Sequence, residues 1–313
     1  MKKKLINETH IEGFIYEHKL ESRVTGENSK NPGTPFIMGT LDIATDDALT
    51  NIVPVHFTYV TPTTAKGGTN ATYTVLKDII DGKYKTVMGA GKENAAKVRI
   101  DSAIGLNEFY SERNGTTELV SAKRNEGGFV HIADTLNPDE TQRNTFKADM
   151  VITCVTRLEA NPERGIPERA AIRGCIFDFR GALLPVDFTA TNPKAIAYYE
   201  DLEATTKNPV FTCLWGKQIS QTVVKTYVEE SAWGEDNVRT VPTTRKDWVV
   251  TGGAKELYSF GADEDCDMTT AYLTKASADR ETYLATVKSR QDEYKASKAA
   301  APAAAPAAGG FNF

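Results

Sequence analysis

Apolar and polar positions alternate with the two-residue period of a strand through most of the first 250 residues, and the alternation runs twice through the same order. In the first pass a strand over 13–20 ends in a loop of turn formers over 25–33. Next come a glycine-led strand, Gly39-Thr40-Leu41-Asp42-Ile43, a short acidic turn, and Ile52-Val53-Pro54-Val55-His56-Phe57-Thr58. In the second pass a strand over 150–158 and a loop over 161–165 precede Gly174-Cys175-Ile176-Phe177-Asp178-Phe179 and Leu183-Leu184-Pro185-Val186-Asp187-Phe188-Thr189. Both third strands thus carry Pro-Val-x-Phe-Thr. A short helix follows each. Tyr73, Leu76, Ile79 and Ile80 recur at helical spacing before Asp81-Gly82; Asn192-Pro193 opens the other, with Ile196, Tyr199 and Leu202 on one face. Two more strands close each pass. They lie over 98–109 and 119–132, joined at Arg113-Asn114-Gly115, and over 210–228 and 238–250, joined around Trp233-Gly234-Glu235-Asp236.

The order β-β-β-α-β-β, twice, is that of the oligonucleotide-binding (OB) fold, a five-stranded Greek-key barrel with a helix between its third and fourth strands. A half-open sandwich is the alternative, and the repeated place of the helix favours the barrel. The expected class is therefore all-β, with two tandem OB-fold barrels at 1–133 and 146–254 and a connector at 134–145. An acidic segment and helix over 255–298 come next, then an Ala/Pro linker with a Gly-Gly-Phe-Asn-Phe tip at 299–313.

Charge refines this picture. The net charge of −5 does not announce a nucleic-acid binder. Residues 1–133, however, hold 16 Lys+Arg against 16 Asp+Glu, and 146–254 hold 13 against 14. The acid excess sits in connector and tail, which leaves room for a basic groove on either barrel. Four dispersed cysteines, Cys154, Cys175, Cys213 and Cys266, lack Cys-x-x-Cys spacing and point to a reducing cytoplasm rather than a zinc or redox site. No run reaches the ~18–20 apolar residues of a membrane span. Gly89-Ala90-Gly91-Lys92 lacks the spacer and the Ser/Thr of a phosphate-binding loop and is expected to be a mobile loop. No nucleophile, carboxylate pair or metal spacing stands out, so neither catalysis nor a cofactor is expected.

Single strands are held by a basic groove with aromatic faces. The candidates in the first barrel are Tyr16, His18, Lys19, Phe36, His56, Tyr59, Phe109, Tyr110, Arg113, Lys123, Arg124 and Phe129. In the second they are Arg157, Arg173, Trp215, Lys217, Tyr227, Trp233, Arg245, Lys246 and Trp248. Val53, Val55 and Phe57 alternate onto one face and are expected in the core, which turns His56 outward. For any single aromatic, packing is the stronger expectation. Lys123-Arg124 and Arg245-Lys246 stand at equivalent places in the two copies, as a contact pair or as a solvated face.

The segments Gly39-Thr40-Leu41-Asp42-Ile43-Ala44, Ile52-Val53-Pro54-Val55 and Val98-Arg99-Ile100-Asp101, leading to the hairpin at Asn114-Gly115, resemble the core of bacterial and phage single-stranded DNA-binding proteins. The whole chain is similar to proteins of phages and prophages of Gram-positive bacteria. The likeness covers 11–133 best, and 146–250 through the repeat. It implies sequence-tolerant binding of single-stranded DNA in replication or recombination, without catalysis, in the bacterial host cytoplasm and off the membrane. Family members carry a flexible tail ending in an acidic, phenylalanine-terminated peptide that recruits replication or recombination proteins. Phe311 and Phe313 fit that role, but the tip departs from the pattern because its acids lie upstream at 263–267. Two barrels in one chain imply fewer subunits in any oligomer. The rival expectation is a phage structural or assembly protein using the barrels as protein contacts; RNA binding is a third.

Overall fold

The computed structural model describes residues 4–27, 29–113, 115–161, 166–229 and 231–300, with the side chains at 113, 223–227, 241–243 and 297–300 left aside. The chain is mostly strand. Strands β1 (Asn7–Val24), β2 (Pro35–Ala44) and β3 (Ile52–Val60) are followed by helices α1 (Ala71–Ile80) and α2 (Val87–Ala90), then β4 (Lys97–Arg113) and β5 (Thr116–Ala133). The second half repeats this with β6 (Asn144–Leu158), β7 (Arg169–Phe177), β8 (Leu183–Ala190), α3 (Pro193–Asp201), β9 (Val210–Glu229) and β10 (Asn237–Gly253). Short strands β11 (Phe260–Gly261) and β12 (Met268–Thr269) lead into α4 (Thr270–Ala300).

Pairing closes each half on itself. The first runs β1-β2-β3-β5-β4 and back to β1, with β3–β5 parallel; the second runs β6-β7-β8-β10-β9 and back to β6, with β8–β10 parallel. Each is a five-stranded ring in the OB strand order, with a helix after its third strand. The glycine that leads each second strand has a steric reason. A Cβ on Gly39, whose φ is +127°, would lie 2.0 Å from the Lys19 carbonyl oxygen, and one on Gly174 would lie 1.9 Å from that of Val151. At both places the second strand bends close over the first, which only glycine allows.

The two rings are not independent modules on a flexible connector. β1 also pairs antiparallel with β6, from Asn7↔Ala148 to Ile11↔Asn144, so all ten strands form one sheet. The connector is fastened as well. Arg143, almost fully buried, donates to the Asn137 carbonyl at 2.5 Å and to Asp47 at 3.0 Å, and Glu12 accepts from the Asn137 amide at 2.7 Å.

Ile11, Ile15, Leu41, Val53, Val55, Phe57, Leu76 and Ile100 fill the first ring. Phe146, Met150, Ile172, Phe188, Tyr199, Leu214 and Trp248 fill the second. A third cluster lies outside the second ring, where Met268 and Ala276 cover Val151, Cys175, Phe177 and Phe211. The helices are capped as their sequences indicate: Asn70 accepts from the Tyr73 amide, and Asn192 from that of Lys194, with Pro193 in the first turn.

One expectation is corrected. Gly89 and Ala90 lie in the one-turn α2, capped by Thr86 and ended at Gly91, and Lys92 opens the short 3-10 turn that follows, donating to the Asp47 carbonyl at 2.6 Å and lying over the Phe14 ring. All four cysteines are free. Burial pushes the Cys175 thiol up to about 12 and the Cys213 thiol up to about 11, so both act as small apolar side chains. No described helix is long and apolar enough to cross a membrane.

Candidate nucleic-acid interface

Each ring sends its last hairpin onto the other. From β5, Lys123 makes an ion pair with the Asp187 carboxylate of β8 at 2.9 Å, donates to the Asp187 carbonyl, and lies 5.3 Å over the Phe188 ring. In return β9 lies against the first ring, where Asn51 bridges to Gln221. Between them, the side chains of Asn125 and Gln218 exchange two hydrogen bonds, at 2.7 and 2.9 Å, in a buried position. The Gln218 carbonyl accepts from Asn144 at 2.6 Å and from Asn51 at 3.2 Å, and the Ser220 amide donates to Asn51 at 2.6 Å. The reciprocal Asn125–Gln218 pair fixes orientation, because each amide would be left with an unmet group if the rings moved apart, whereas the Asn144 Oδ1 beside it is buried with no partner among the described residues.

This joint forms the floor of a groove. One cavity of ≈720 Å³ is lined by Tyr16, Lys19, Asp42, His56, Ser220 and Lys246, among others. A second, of ≈250 Å³, shares Pro54, His56, Ser220 and Lys246 with it and adds Lys123, Arg124, Asn125 and Gln218. Tyr16, Lys19 and His56 come from the first ring's opening strands, and Lys246 from the second ring's hairpin. Among the described residues no ion pair is recorded for Lys19 or Lys246, whereas Arg124 is held by Glu126 at 2.9 Å.

The groove's titrating groups are set by their surroundings. Burial, helped by the charges of Arg124 and Lys246 and opposed by Glu126, holds the His56 imidazole below its ordinary range, so it is neutral near pH 7; its Nδ1 lies 3.1 Å from the Thr40 hydroxyl. Burial pushes the Asp42 carboxyl up, against the pull of Lys19 and Lys246. The larger cavity therefore offers a neutral aromatic face and two ammonium groups around Asp42, and Asp247 lines the smaller one.

The structure brings together Tyr16, Lys19, His56, Lys123, Arg124 and Lys246. Trp248 also borders the smaller cavity, but it is only 8 % exposed and packs edge-on against Phe146 at 5.3 Å. This corrects its place among the contact candidates: its strand turns it into the second ring's core. Arg157 is held by Glu168 at 2.8 Å and Glu200 at 3.1 Å. Tyr110 lies under Lys288 of α4, and its backbone is bonded to Gln291. These two are engaged in packing.

The other candidates stand apart from the groove. The His18 ring accepts from the Leu20 amide at 3.4 Å, and Phe36 packs on Tyr59 with centroids 4.9 Å apart. Phe109 and Phe129 are exposed on β4 and β5, and Trp233 is exposed at the β9–β10 turn. Arg173 stands opposite Asp187 in register, and Arg245 is 3.5 Å from Asp247. Trp215 and Lys217 line a separate cavity on β9. The side chains of Arg113 and Tyr227, and residues Phe311 and Phe313, lie outside what the structure describes.

Sequence reasoning missed Asn51, Asp42, Asn125 and Gln218. The signal available was an Asn in mid-strand at 125, a residue depleted from strand interiors.

Among solved structures, the chain is similar to an internally deleted, point-substituted form of the single-stranded DNA-binding protein of Thermus aquaticus, at 9% identity and a TM-score of 0.44, covering 83% of this chain and 98% of that one. No curated protein matches the sequence. The model of the YorF family matches residues 5–285, from the first strand through both rings and into α4, and the chain belongs to that family.

Proposed function

We propose that this protein binds single-stranded DNA in the groove between its rings, with little sequence preference and without catalysis, in the replication or recombination of phage DNA. The observation that carries this reading is the convergence of Tyr16, Lys19 and His56 with Lys246 in one groove whose walls come from both rings. Two ammonium groups with no recorded ion pair attract phosphates, and the neutral His56 and Tyr16 rings give bases π-faces on which to stack. Little in the groove reads one base against another in a fixed pattern, which favours sequence tolerance.

Filter binding of oligo-dT, duplex DNA and oligo-rU at low salt tests the proposal. The expected order is oligo-dT first, with affinity falling as salt rises because phosphate contacts release counterions. Preference for duplex, or no retention of any of the three, overturns it. Preference for oligo-rU reassigns the groove to RNA.

A further inference from the structure

Outside the groove, Trp215 is the one large aromatic among the candidates set on a glycine bed. A Cβ on Gly252 would lie 2.4 Å from the indole Nε1 and 2.6 Å from Cε2, so the ring lies flat across the β10 backbone where the register shifts after Val250. Its other side is open, and the residue is 41% exposed. Lys147 of β6 is its cross-strand partner, and Lys217, two residues along the same face of β9, stands opposite Thr145. Among the described residues neither lysine has a recorded ion pair. Glu8, in register with Lys147 on β1, is the acid in this cavity of ≈600 Å³.

Lys217 also lines the adjoining cavity of ≈580 Å³, with Asn51, Gln218, Gln221 and two acids, Asp46 and Glu140, and that cavity reaches the residues next to the groove's Ile52 and Ser220. Ser220 and Thr222 lie on the opposite face of β9 from Lys217 and Trp215, and this adjoining cavity, lined from both faces, is where the surface crosses from the groove to Trp215. The seven residue-to-residue steps from Thr222 to Trp215 cover about 23 Å.

We infer that Trp215, Lys147 and Lys217 form a second subsite of the same strand-binding surface: one base stacks on the indole while the two ammonium groups hold the flanking phosphates. A strand leaving the groove at Ser220 follows β9 and ends on Trp215. The inference rests on the groove being a single-strand site and adds a length requirement to it. Oligonucleotides too short to span the distance occupy one subsite, and longer ones gain from both.

The test is affinity against oligo-dT length, using the full chain. Trp215→Ala is expected to bind the shortest oligonucleotides as the unsubstituted chain does, and to lose tenfold or more on those that reach from His56 to Trp215, the cost of one lost stack. Lys147→Gln/Lys217→Gln leaves the indole on its glycine bed, which guards against a folding defect. It is expected to show the same length-dependent loss, with a salt slope shallower by about 1.4. In a Trp233→Phe background, long oligonucleotides quench the open indole and short ones do not. Equal affinities at every length with unchanged emission overturn the subsite while leaving the groove intact. Failure of the unsubstituted chain to bind any length overturns the groove reading itself.

Discussion

Asp42 sits between Lys19 and Lys246, and its carboxyl is already pushed up by burial, so it is the groove residue that most opposes phosphate. Asp42→Asn keeps the shape and removes the charge; affinity for oligo-dT should rise roughly three- to tenfold at low salt, with the gain shrinking as salt screens it. Fluorescence anisotropy measures this, and unchanged affinity would place the strand elsewhere. His56 gives the sign of the pH dependence. Its imidazole is held below the usual 6.5, so it gains charge only on the acid side of that value. Affinity should therefore be flat from pH 8 to 7 and rise below about 6.5 as His56 and Asp42 take up protons. In His56→Ala that rise should be smaller, with only the Asp42 part left. The outward turn of His56 was legible from the alternation of Val53, Val55 and Phe57, all buried. The inward turn of Trp248 was not, because its neighbours Asp247 and Val249 do not show which face of β10 meets the core. Nothing local to Lys123 announces Asp187, its partner 64 residues away.

At the scale of elements, both helices and all ten ring strands follow from periodicity, turn chemistry and the repeat. The reach of the hairpins does not. β4–β5 and β9–β10 extend past their own rings, and where such an extension lands is decided by tertiary contacts alone. α4 shows the same limit. Its composition announces a helix, but its docking depends on Arg280, which pairs with the buried Glu108 carboxylate of β4 and donates to the Leu183 carbonyl of the second ring at 3.2 Å. Arg280→Ala leaves that carboxylate buried and unpaired, and should cost about 3–5 kcal/mol of stability at neutral pH, read by urea unfolding. A cost under ~1 kcal/mol would show that Glu108 finds water. Farther along α4, Tyr283 and Tyr294 are exposed, while Ala276 near its start is buried.

For the whole molecule, the joint matters more than either ring. The repeat predicts two barrels joined by a connector, which together offer one longer groove and gain avidity because the second binds intramolecularly. The β1–β6 ladder and the Asn125–Gln218 pair hold the two rings in a fixed geometry, so the proposed binding surface is preformed and little ordering cost would fall on the protein. Gln218→Ala leaves the Asn125 Oδ1 without its donor in a buried site, while its Nδ2 keeps the Pro54 carbonyl. It should destabilise the chain by about 1–3 kcal/mol in chemical denaturation and weaken DNA binding beyond what stability explains. Of the acids near this surface, Asp47 and Glu140 are engaged with Arg143, while Glu140 also lines the cavity beside the groove.

The central claim is that both rings hold one single strand between them, and Lys19 and Lys246, one from each ring, test it most directly. The measurement is the salt dependence of oligo-dT affinity for the unsubstituted chain and for Lys19→Ala, Lys246→Ala and the double variant. Each single change should weaken binding and make the slope of log K against log salt shallower by about 0.7, and the double change by about 1.4. Lines that coincide with that of the unsubstituted chain would contradict the account.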